Sequence, residues 1–428
     1  MIEIVRDKND IEKYFDVLKT RGAVNSGQYF NTVKAIVDDV ALNKDSALEK
    51  YAKKFDDPNF DIKNIEVSHK EMEEAFLGLD KDLQNVLLKS KERVHSYHEH
   101  QLRTTWEYKD SLGISLGQKI SPLKRVGVYV PGGKAAYPSS VIMNVMPAKV
   151  AGVKEVIMVT PAVKGYINPL VLAAAYICGV DHVYKIGGAQ AIAALAYGTE
   201  SIPQVDKVVG PGNIYVALAK KEVFGLVGID SIAGPSEIAI IADKTCNIEY
   251  VAADMLGQAE HDEIASSTLF ITDYEKAVKI KERMEEIANE ASRKAILEKS
   301  LKNTSKIIVC ESLDEAISLS NRLAPEHLEL ALDNARSIVD KIENAGAIFI
   351  GHYTAEAYGD YVLGPNHVLP TCGTARFFSP LGVDDFIKKS SLIEMNKSSV
   401  NELCDYVDRF AQAEGLTMHA LSARVRKE

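Results

Sequence analysis

The sequence predicts an α/β fold with two Rossmann-like parallel-sheet modules and helical N- and C-terminal extensions. From residue 125 to about residue 375, short apolar segments alternate with helical segments, which is the pattern of βαβ units. Almost every strand-like segment is a continuous apolar run, as burial on both faces of a parallel sheet requires. Before and after this part of the chain the pattern is mostly helical.

Composition and length limit the classes of protein that fit. The chain has 428 residues, of which 46% are apolar and 26% charged, the balance of a soluble globular protein. The formal net charge is −10 and no Lys/Arg-rich block is present, so we expect no nucleic-acid partner. No apolar run reaches the ~18–20 residues that span a bilayer, so we expect no membrane partner.

The cysteines and the first residues favour a cytoplasmic location. The five cysteines are far apart and form no CxxC pair, so neither a disulfide framework nor a thiolate zinc site is expected. A reducing compartment fits this usage. The opening segment, MIEIVRDKND, has no apolar signal region.

The N-terminal extension, residues 1–124, reads mostly as helices. Ser68 and Glu71 have the spacing of a capping box, in which a hydroxyl and a carboxylate satisfy the free amides of a first helical turn. We expect the later part of this extension to pack on the second module.

The first module, residues 125–235, is predicted as a dinucleotide-binding unit. Three of its strands end in glycine-rich turns, at Tyr129–Gly133, Gly187–Gln190 and Gly210–Asn213. Ligands of open parallel sheets lie at the carboxyl ends of strands, and a following helix N-terminus favours phosphate. The flat ring of Tyr129 and the amides of Gln190 and Asn213 suit such a ligand.

The alternative is that these glycines only form tight turns. The segment GPGNIY resembles the GxGxxG pattern but lacks its third glycine. No acidic residue is clearly placed to bind a ribose. From the turns alone, both interpretations stay open.

The second module, residues 236–380, continues the alternation without a Ser/Gly linker. Ser312 and Glu315 form a second capping box, and Pro325 ends the helix that follows it. A cleft between two such modules is the default location for a site.

Several polar residues of the second module have positions that suit a site. Gln258 and His261 lie three positions apart on a predicted helix and therefore share a face. Glu326 and His327 stand immediately before a strand, and Asp360 lies in a turn-rich segment. Imidazoles combined with oxygen donors suit Zn²⁺, Mn²⁺ or Co²⁺.

This set has no compact metal motif such as HExxH. Asp254, one turn before Gln258, could also serve as a ligand. Taken alone, each lone histidine fits a structural role better than a metal ligand.

The C-terminal helix predicts an inward carboxylate. Glu414 continues an apolar stripe at helical spacing, so its side chain is expected to point inward. The stripe consists of Leu403, Val407, Phe410 and Ala411. An inward carboxylate needs a cation, either a metal or a substrate ammonium group. The alternative is that Glu414 bends out to solvent at the frayed helix end.

Taken together, the segments that contain these residues resemble the histidinol dehydrogenase family. The resemblance runs through RVGVYVPGGKAAYPSSVIMNVMPAKVAGV, IGGAQAIAALAYGT, VVGPGNIYV, IAGPSE, LGQAEHD, LAPEHLEL, GDYVLGPNHVLPT and EGLTMHA. It covers most of the chain from about residue 125 onward, with departures in RFFSPLG.

The resemblance implies a zinc-dependent, NAD-linked, four-electron oxidation of L-histidinol to L-histidine via L-histidinal, the last steps of histidine biosynthesis. It implies one zinc ion per subunit. The implied zinc ligands are Gln258, His261, Asp360 and His419.

The same resemblance implies the roles of the other site residues. Glu326 and His327 look like the acid–base pair, and Ser236 and Glu414 look like substrate contacts beside the zinc ligands. The implied NAD contacts are Tyr129, Gln190 and Asn213. In the implied homodimer, the helical tail, residues 381–428, reaches the partner subunit, so Glu414 and His419 act there.

The implied chemistry fits the residue types. The imidazole of His327 titrates near neutral pH and suits a general base, while Glu326 could activate water and zinc would mainly orient the substrate. Cys178 and Cys310 lie in apolar segments, where thiols are usually inert packing. The alternatives are a zinc-dependent hydrolase without a dinucleotide and a non-catalytic amino-acid or nucleotide binding protein.

Overall fold

The computed structural model describes residues 2–21, 27–132 and 137–427. Its strands are, in chain order, β1 (Glu3–Val5), β2 (Glu66–Val67), β3 (Trp106–Lys109), β4 (Ser115–Pro122), β5 (Arg125–Tyr129), β6 (Glu155–Thr160), β7 (His182–Lys185), β8 (Lys207–Val209), β9 (Gly228–Ile229), β10 (Glu237–Ala242), β11 (Ser266–Ile271), β12 (Lys306–Val309), β13 (His327–Ala331), β14 (Ala347–Ile350) and β15 (Ile387–Glu394).

Helices fill most of the remaining chain. The α-helices are α1 (Lys8–Arg21), α2 (Gly27–Phe55), α3 (His69–Leu77), α4 (Lys81–Glu99), α5 (Pro138–Val150), α6 (Pro169–Cys178), α7 (Gly188–Tyr197), α8 (Ile214–Val223), α9 (Ile248–Ala259), α10 (Tyr274–Glu290), α11 (Lys294–Asn303), α12 (Leu313–Leu323), α13 (Glu356–Tyr361), α14 (Lys397–Ala413) and α15 (Thr417–Arg424). Within the described ranges, no helix combines the length and the apolar character needed to cross a membrane.

Two six-stranded sheets share one strand order. The first runs β2-β7-β6-β5-β8-β9 and the second runs β1-β12-β11-β10-β13-β14. In each sheet, the five strands of one module lie in the spatial order third, second, first, fourth, fifth, and all five are parallel. This is the Rossmann arrangement, and the predicted α/β fold with two parallel-sheet modules is confirmed.

Alternating side chains of the strands enter apolar cores on both faces of each sheet. On β6, Ile157 and Val159 enter one core while Val156 and Met158 enter the other. Strand β10 divides its side chains in the same way between the two cores of the second sheet. Burial on both faces explains the continuous apolar runs, and it leaves the strand ends as the places for polar residues.

The N-terminal extension divides between the two modules. Strand β1 pairs with β12, and α1 packs its apolar face on the second sheet. Helix α2 packs on α7 and α8, α3 on α6, and α4 on α5, all in the first module. The prediction that the later part packs on the second module is therefore wrong in the main. Among the described helices α2 to α4, α4 also reaches later residues, through hydrogen bonds from Ser90 and Arg93 to carbonyls of 361–363.

A third, antiparallel sheet joins the two extensions, which are therefore not helical throughout. It runs β15-β4-β3. Strand β15, from the C-terminal tail, pairs with β4 along its whole length. Helices α14 and α15 follow this sheet and pack on each other.

Candidate active site

The amino end of the second sheet gathers most of the predicted site residues. Glu237 is the first residue of β10, His327 is the first residue of β13, and the two strands are parallel neighbours. Helix α9 follows β10 and runs back along the sheet. Its C-terminal end therefore brings Gln258 and His261 to the same edge that carries Glu326 and His327.

The hydrogen bond of buried His327 determines which ring nitrogen is free. Its Nδ1 lies 3.2 Å from the carbonyl oxygen of Glu237. Because a carbonyl oxygen only accepts, Nδ1 bears the proton and Nε2 is the unprotonated nitrogen. Nε2 is buried and has no hydrogen-bond partner among the described residues. It lies 3.9 Å from Oδ1 of Asp360. Burial lowers the pKa of His327 to about 3, so the ring is neutral at neutral pH. The expectation that this imidazole titrates near neutral pH does not hold for the chain alone.

Glu326 is held beside this imidazole. Its Oε2 accepts the backbone N–H of Glu237 at 2.9 Å and lies 3.8 Å from Nδ1 of His327. Burial, reinforced by the carboxylates of Glu237 and Asp360, raises the pKa of Glu326 well above its usual range. A carboxyl group with a raised pKa is a stronger base when ionised, which suits proton transfer near neutral pH.

A candidate metal site adjoins these two residues. One ligand atom from each of His261, Glu356 and Asp360 lies within 4.8 Å of the others. In the amide orientation that satisfies its neighbours, the Gln258 nitrogen donates to the Glu356 carboxylate at 2.6 and 3.1 Å. Its carbonyl oxygen then accepts the Glu237 N–H at 2.8 Å, and this N–H is shared with Oε2 of Glu326. The predicted ligands Gln258, His261 and Asp360 therefore do come together.

Glu356 is the member of this group that sequence reasoning missed. It lies one helical turn before Asp360 on α13, so the spacing E-x-x-x-D was an available signal. Burial raises the pKa of Glu356 well above its usual range and the pKa of Asp360 to about 7. Acids buried this closely are stabilised by a bound cation, and the nitrogen and oxygen donors fit a divalent ion such as zinc.

Other buried groups surround the metal site. The His367 ring has Nδ1 at 4.0 Å from Oδ1 of Asp360, and burial lowers its pKa to about 4. Oε1 of Glu329 accepts the backbone N–H of Glu356 at 2.8 Å. Asp254 hydrogen-bonds Glu329, and burial raises its pKa to about 6. Asp254 therefore supports the site and is not a member of the His261–Glu356–Asp360 group.

A cavity of about 810 Å³ opens onto His327 and Asp360. His367 also lines it, as do the end of α4 and residues 379–385. This volume is within the range of small-molecule sites. Tyr129, Gln190 and Asn213 are not among its lining residues.

The first-module candidates lie at the carboxyl end of the first sheet. Tyr129 ends β5 and is only 3% exposed, and its hydroxyl accepts the N–H of Gly188 at 3.2 Å. The expectation of an open ring face is therefore wrong, because this ring belongs to the core. Gln190 is also buried, whereas Asn213 is exposed and caps α8 through Oδ1.

The turn that contains Gly210 is held rigidly next to Tyr129. A Cβ at position 210 would lie 2.1 Å from the carbonyl oxygen of Tyr129, and φ is +109°, so only glycine fits. Asp230 accepts the Gly210 N–H at 2.8 Å, and Lys220 donates to the Gly210 carbonyl at 3.1 Å. Lys220 and Asp230 form an ion pair that is almost fully buried.

The turn at Gly187 has two features that favour a polar ligand. Helix α7 begins after Gly187 without a side-chain cap. Its first N–H, that of Gly188, donates to the Tyr129 hydroxyl, so the N–H groups of Ala189 and Gln190 are the ones that would face an anion. The Asp56 carboxylate lies beside the Gly187 backbone, and burial raises its pKa to about 6. Sequence reasoning found no acidic residue here, because Asp56 comes from the N-terminal extension. Gly133, in the turn after β5, lies outside the described residues.

Comparison with known proteins assigns the family. A family model described as histidinol dehydrogenase matches residues 19–427. The histidinol dehydrogenase of Clostridium acetobutylicum is 49% identical over 428 residues, covering 100% of this chain and 99% of that protein. The chain belongs to the histidinol dehydrogenase family.

Two further matches agree with this family assignment. The histidinol dehydrogenase of Geobacter metallireducens is 51% identical over 424 residues, covering 99% of this chain and 97% of that protein. The crystal structure of histidinol dehydrogenase from Elizabethkingia anophelis superposes with a TM-score of 0.93 at 35% identity, covering 99% of this chain and 98% of that one. As a histidinol dehydrogenase family member the chain is an oxidoreductase, which removes the hydrolase and binding-protein alternatives.

The tail of this histidinol dehydrogenase family member does not reach the site of its own chain. Glu414 caps the end of α14 and is exposed, and His419 is exposed on α15. Phe410 of the apolar stripe is 68% exposed. The expectation that Glu414 points inward is therefore wrong within one chain, because no described part of the chain covers this side of the stripe. No metal-ligand group of the described residues includes His419.

Ser236, which was predicted as a substrate contact, immediately precedes β10 at the site edge. Its carbonyl accepts the N–H of Ser266 at 3.1 Å. Burial raises the pKa values of Cys178 and Cys310 to about 12. Both therefore remain thiols at neutral pH, in agreement with inert packing.

Proposed function

We propose that this chain oxidises L-histidinol to L-histidine via L-histidinal, with NAD as hydride acceptor and one zinc ion per subunit. The observation that carries the proposal is the unpartnered Nε2 of His327, buried next to Glu326 and directed towards Asp360. Both oxidation steps need a base at the substrate oxygen, and this nitrogen is available for that task.

Zinc would be held by Gln258, His261, Asp360 and His419 of the partner subunit. The carbonyl oxygen of Gln258 keeps a second lone pair after accepting the Glu237 N–H. When bound, the ion supplies a fixed anchor for nitrogen atoms of the substrate and so orients the reacting carbon. Ser236 and Glu414 of the partner subunit would contact the same substrate.

The dinucleotide would bind at the carboxyl ends of β5, β7 and β8. Support comes from the glycine turns, the uncapped N-terminus of α7 and the ion pair that supports Gly210. Gln190 and Asn213 would offer amide contacts, and Tyr129 would act through its edge or hydroxyl because its face is buried. When bound, NAD supplies the acceptor for one hydride in each of two oxidations.

In the first oxidation, His327 acts as the general base. Its Nε2 takes the hydroxyl proton of the alcohol while the carbon–hydrogen bond breaks and hydride leaves. The products are L-histidinal, NADH and an imidazolium that releases its proton before the next step. The Glu237 carbonyl keeps the proton on Nδ1, so Nε2 is the accepting nitrogen each time.

In the second oxidation, Glu326 and His327 act in turn. Glu326 takes one proton from a water molecule as the water oxygen bonds to the aldehyde carbon. The protonated Glu326 then gives this proton to the former aldehyde oxygen, which yields the hydrate and restores the Glu326 carboxylate. His327 then accepts a hydroxyl proton of the hydrate as the second hydride leaves. The carboxylic acid that forms ionises to L-histidine. One water and two NAD are consumed for each alcohol.

The test is to measure NADH formation by the zinc-loaded protein from histidinol and, separately, from histidinal. His327→Asn should lower both rates by roughly 100- to 10,000-fold, the usual contribution of a general base. Glu326→Gln should lower the histidinal rate more than the histidinol rate, because only the second oxidation needs activated water. Glu315→Gln, at the distant cap of α12, serves as control. Near-normal rates in both site variants would refute the acid–base assignment.

The exposed tail supports a homodimer with shared sites. A second copy would cover the apolar stripe of α14 and receive Glu414 and His419. Mixing inactive His327→Asn chains with inactive His419→Asn chains should therefore restore activity, because some mixed dimers contain one intact site. No recovery after verified subunit exchange would show that each site is built from one chain.

A further inference from the structure

Arg21 reaches the second module from the end of α1. Its guanidinium forms an ion pair with the carboxylate of Glu237, and both side chains are only 3% exposed. The other terminal nitrogen, Nη1, donates to the carbonyl of Ile264 at 3.1 Å and lies 3.4 Å from the carbonyl of Ser236. Arg21 thus contacts Ser236 and Glu237 at the start of β10 and Ile264 just before β11.

The peptide groups of Glu237 hold both acid–base residues. Its N–H donates to Oε2 of Glu326 at 2.9 Å, and its carbonyl accepts from Nδ1 of His327 at 3.2 Å. One residue therefore fixes the direction of a carboxylate and the tautomer of an imidazole. These two groups belong to the peptide units on either side of the Glu237 Cα, so a displacement of this residue would change both hydrogen bonds at once.

Stability alone does not explain this arrangement. Removing two opposite charges from water is costly, and apolar replacements of buried ion pairs are often neutral or stabilising. The pair instead fixes the position of the Glu237 backbone, whose N–H and carbonyl bind Glu326 and His327.

We propose that Arg21 and Glu237 are positioning residues that hold His327 as its Nδ1–H tautomer and keep Glu326 directed at the reacting carbon. Neither residue touches the substrate. The proposal deepens the proposed function and rests on it, since it assumes that His327 is the base of both oxidations.

Without Arg21, the buried Glu237 carboxylate would lose its counter-ion and keep the backbone donors at Cys372 and Gly373. The start of β10 would then shift, and the His327 ring could adopt the other tautomer, with the proton on Nε2. That tautomer cannot accept a proton from the substrate. The expected defect therefore lies in kcat, and substrate binding is largely kept.

The test uses the zinc-loaded protein with Arg21→Met, the conservative Arg21→Lys and a matched control, Arg322→Met. Arg322 pairs with Glu12 at 2.5 and 2.6 Å and also joins α1 to the second module, but at an exposed position. We expect Arg21→Met to lower kcat of both oxidations about 10- to 100-fold, as misplaced catalytic groups do. Arg21→Lys should recover part of this loss, and Arg322→Met should stay near the wild type.

A second readout separates positioning from folding and from the function itself. Nitrogen NMR of the His327 ring, assigned by comparison with His327→Asn, should show the Nδ1–H tautomer in the wild type and a tautomer mixture in Arg21→Met. Glu237→Gln, whose amide carbonyl can still accept from Arg21, gives a second variant if Arg21→Met folds poorly, and it should stay closer to the wild type.

Two results would overturn the inference. One is an Arg21→Met protein with the wild-type kcat and the wild-type tautomer. The other is an equal loss of kcat in Arg21→Met and Arg322→Met, which would assign the effect to docking of α1. If the wild type does not oxidise histidinol, the proposed function fails, and the tautomer comparison still decides the role of the pair.

Discussion

The two modules have the same strand order but use opposite ends of their sheets. In the first module the candidate residues follow the last residues of β5, β7 and β8, where helices begin. In the second module they stand at the first residues of β10 and β13, where α9 ends. Helix N-termini carry partial positive charge and favour phosphates, whereas helix C-termini carry partial negative charge and favour cations. The choice of end therefore matches the ligand proposed for each module.

Both modules support their site with a buried ion pair that acts on the backbone. In the first module, Asp230 accepts the N–H of Gly210 and Lys220 donates to its carbonyl. Arg21 and Glu237 hold the start of β10 in the second module. In each case the charged side chains hold a backbone segment that adjoins the ligand site proposed for that module.

The largest expected effect comes from substituting two crowded glycines, one beside the proposed site of each module. A Cβ at Gly346 would lie 2.5 Å from the carbonyl oxygen of Glu326, and one at Gly210 would lie 2.1 Å from that of Tyr129. We expect Gly346→Ala to lower kcat about 100-fold or more, because it displaces an acid–base residue. We expect Gly210→Ala to act mainly by raising the KM for NAD.

Initial rates with histidinol and NAD varied in turn distinguish these outcomes. Gly225→Ala is the matched control for backbone strain, since φ at 225 is +103° and no atom lies within 4 Å of the added Cβ. If both crowded variants changed the same kinetic constant, the two modules would not divide the work as proposed.

An intermediate effect is expected for the ion pair of the first module. Asp230→Asn removes a charged acceptor from the Gly210 N–H and leaves Lys220 buried without a counter-ion. The KM for NAD should rise roughly 10-fold, as expected when a hydrogen bond to a charged group is weakened, while kcat should change little. Glu155→Gln is the control, because its pair with Arg125 lies at the amino end of the same sheet. A fall in kcat alone would place Asp230 in the chemistry instead.

The smallest effect concerns the stability of the metal-free protein. Folding raises the pKa of Asp360 to about 7 and those of Glu326 and Glu356 well above their usual range. The folded chain then holds more protons than the unfolded chain, so stability is lost as pH rises through these folded values. His327 and His367 have lowered pKa values and destabilise only at lower pH, so they do not contribute above about pH 6.5.

The unfolding free energy of the metal-free protein should therefore fall between about pH 6.5 and pH 8, by about 1.4 kcal/mol per pH unit for each carboxyl that stays protonated. The melting temperature should fall with it and is the quantity to measure. Zinc should reduce this slope, because it would hold the bound Asp360 carboxylate ionised and its charge would favour the ionised forms of the neighbouring Glu326 and Glu356. Hydrogen exchange should locate the loss in α9 and β13 of the second module. Little loss is expected in the first module, because Asp56 is the one carboxyl of its described site with a raised pKa. An equal slope with zinc bound would contradict the metal assignment.

The central strands could be predicted from the sequence because two-sided burial leaves continuous apolar runs. Strands β3, β4 and β15 could not, since their side chains are mostly exposed or half-buried and follow no apolar pattern. Strand β1 was missed because three residues are too few to show a period, and its partner, β12, lies far along the chain.

For the site, sequence spacing and family resemblance predicted Gln258, His261 and the Glu326–His327 pair, which the structure brings to one edge of the second sheet. Their roles stay predictions. Glu356 was missed because its burial depends on contacts with residues distant in sequence. Tyr129 was misjudged because its place at a turn did not reveal which side of its ring is packed. The spacing of Glu414 correctly put it in line with an apolar stripe, but the described chain does not contain what covers it.

The pairing of β4 with β15 has a consequence for biosynthesis of the chain. During translation, the β3–β4 hairpin leaves the ribosome long before residues 387–394 do. Until then, the edge of β4 that pairs with β15 has no partner strand. An open edge can pair with another chain. Until β15 arrives and closes that edge, the nascent protein depends on solvent or chaperones to keep it from aggregating.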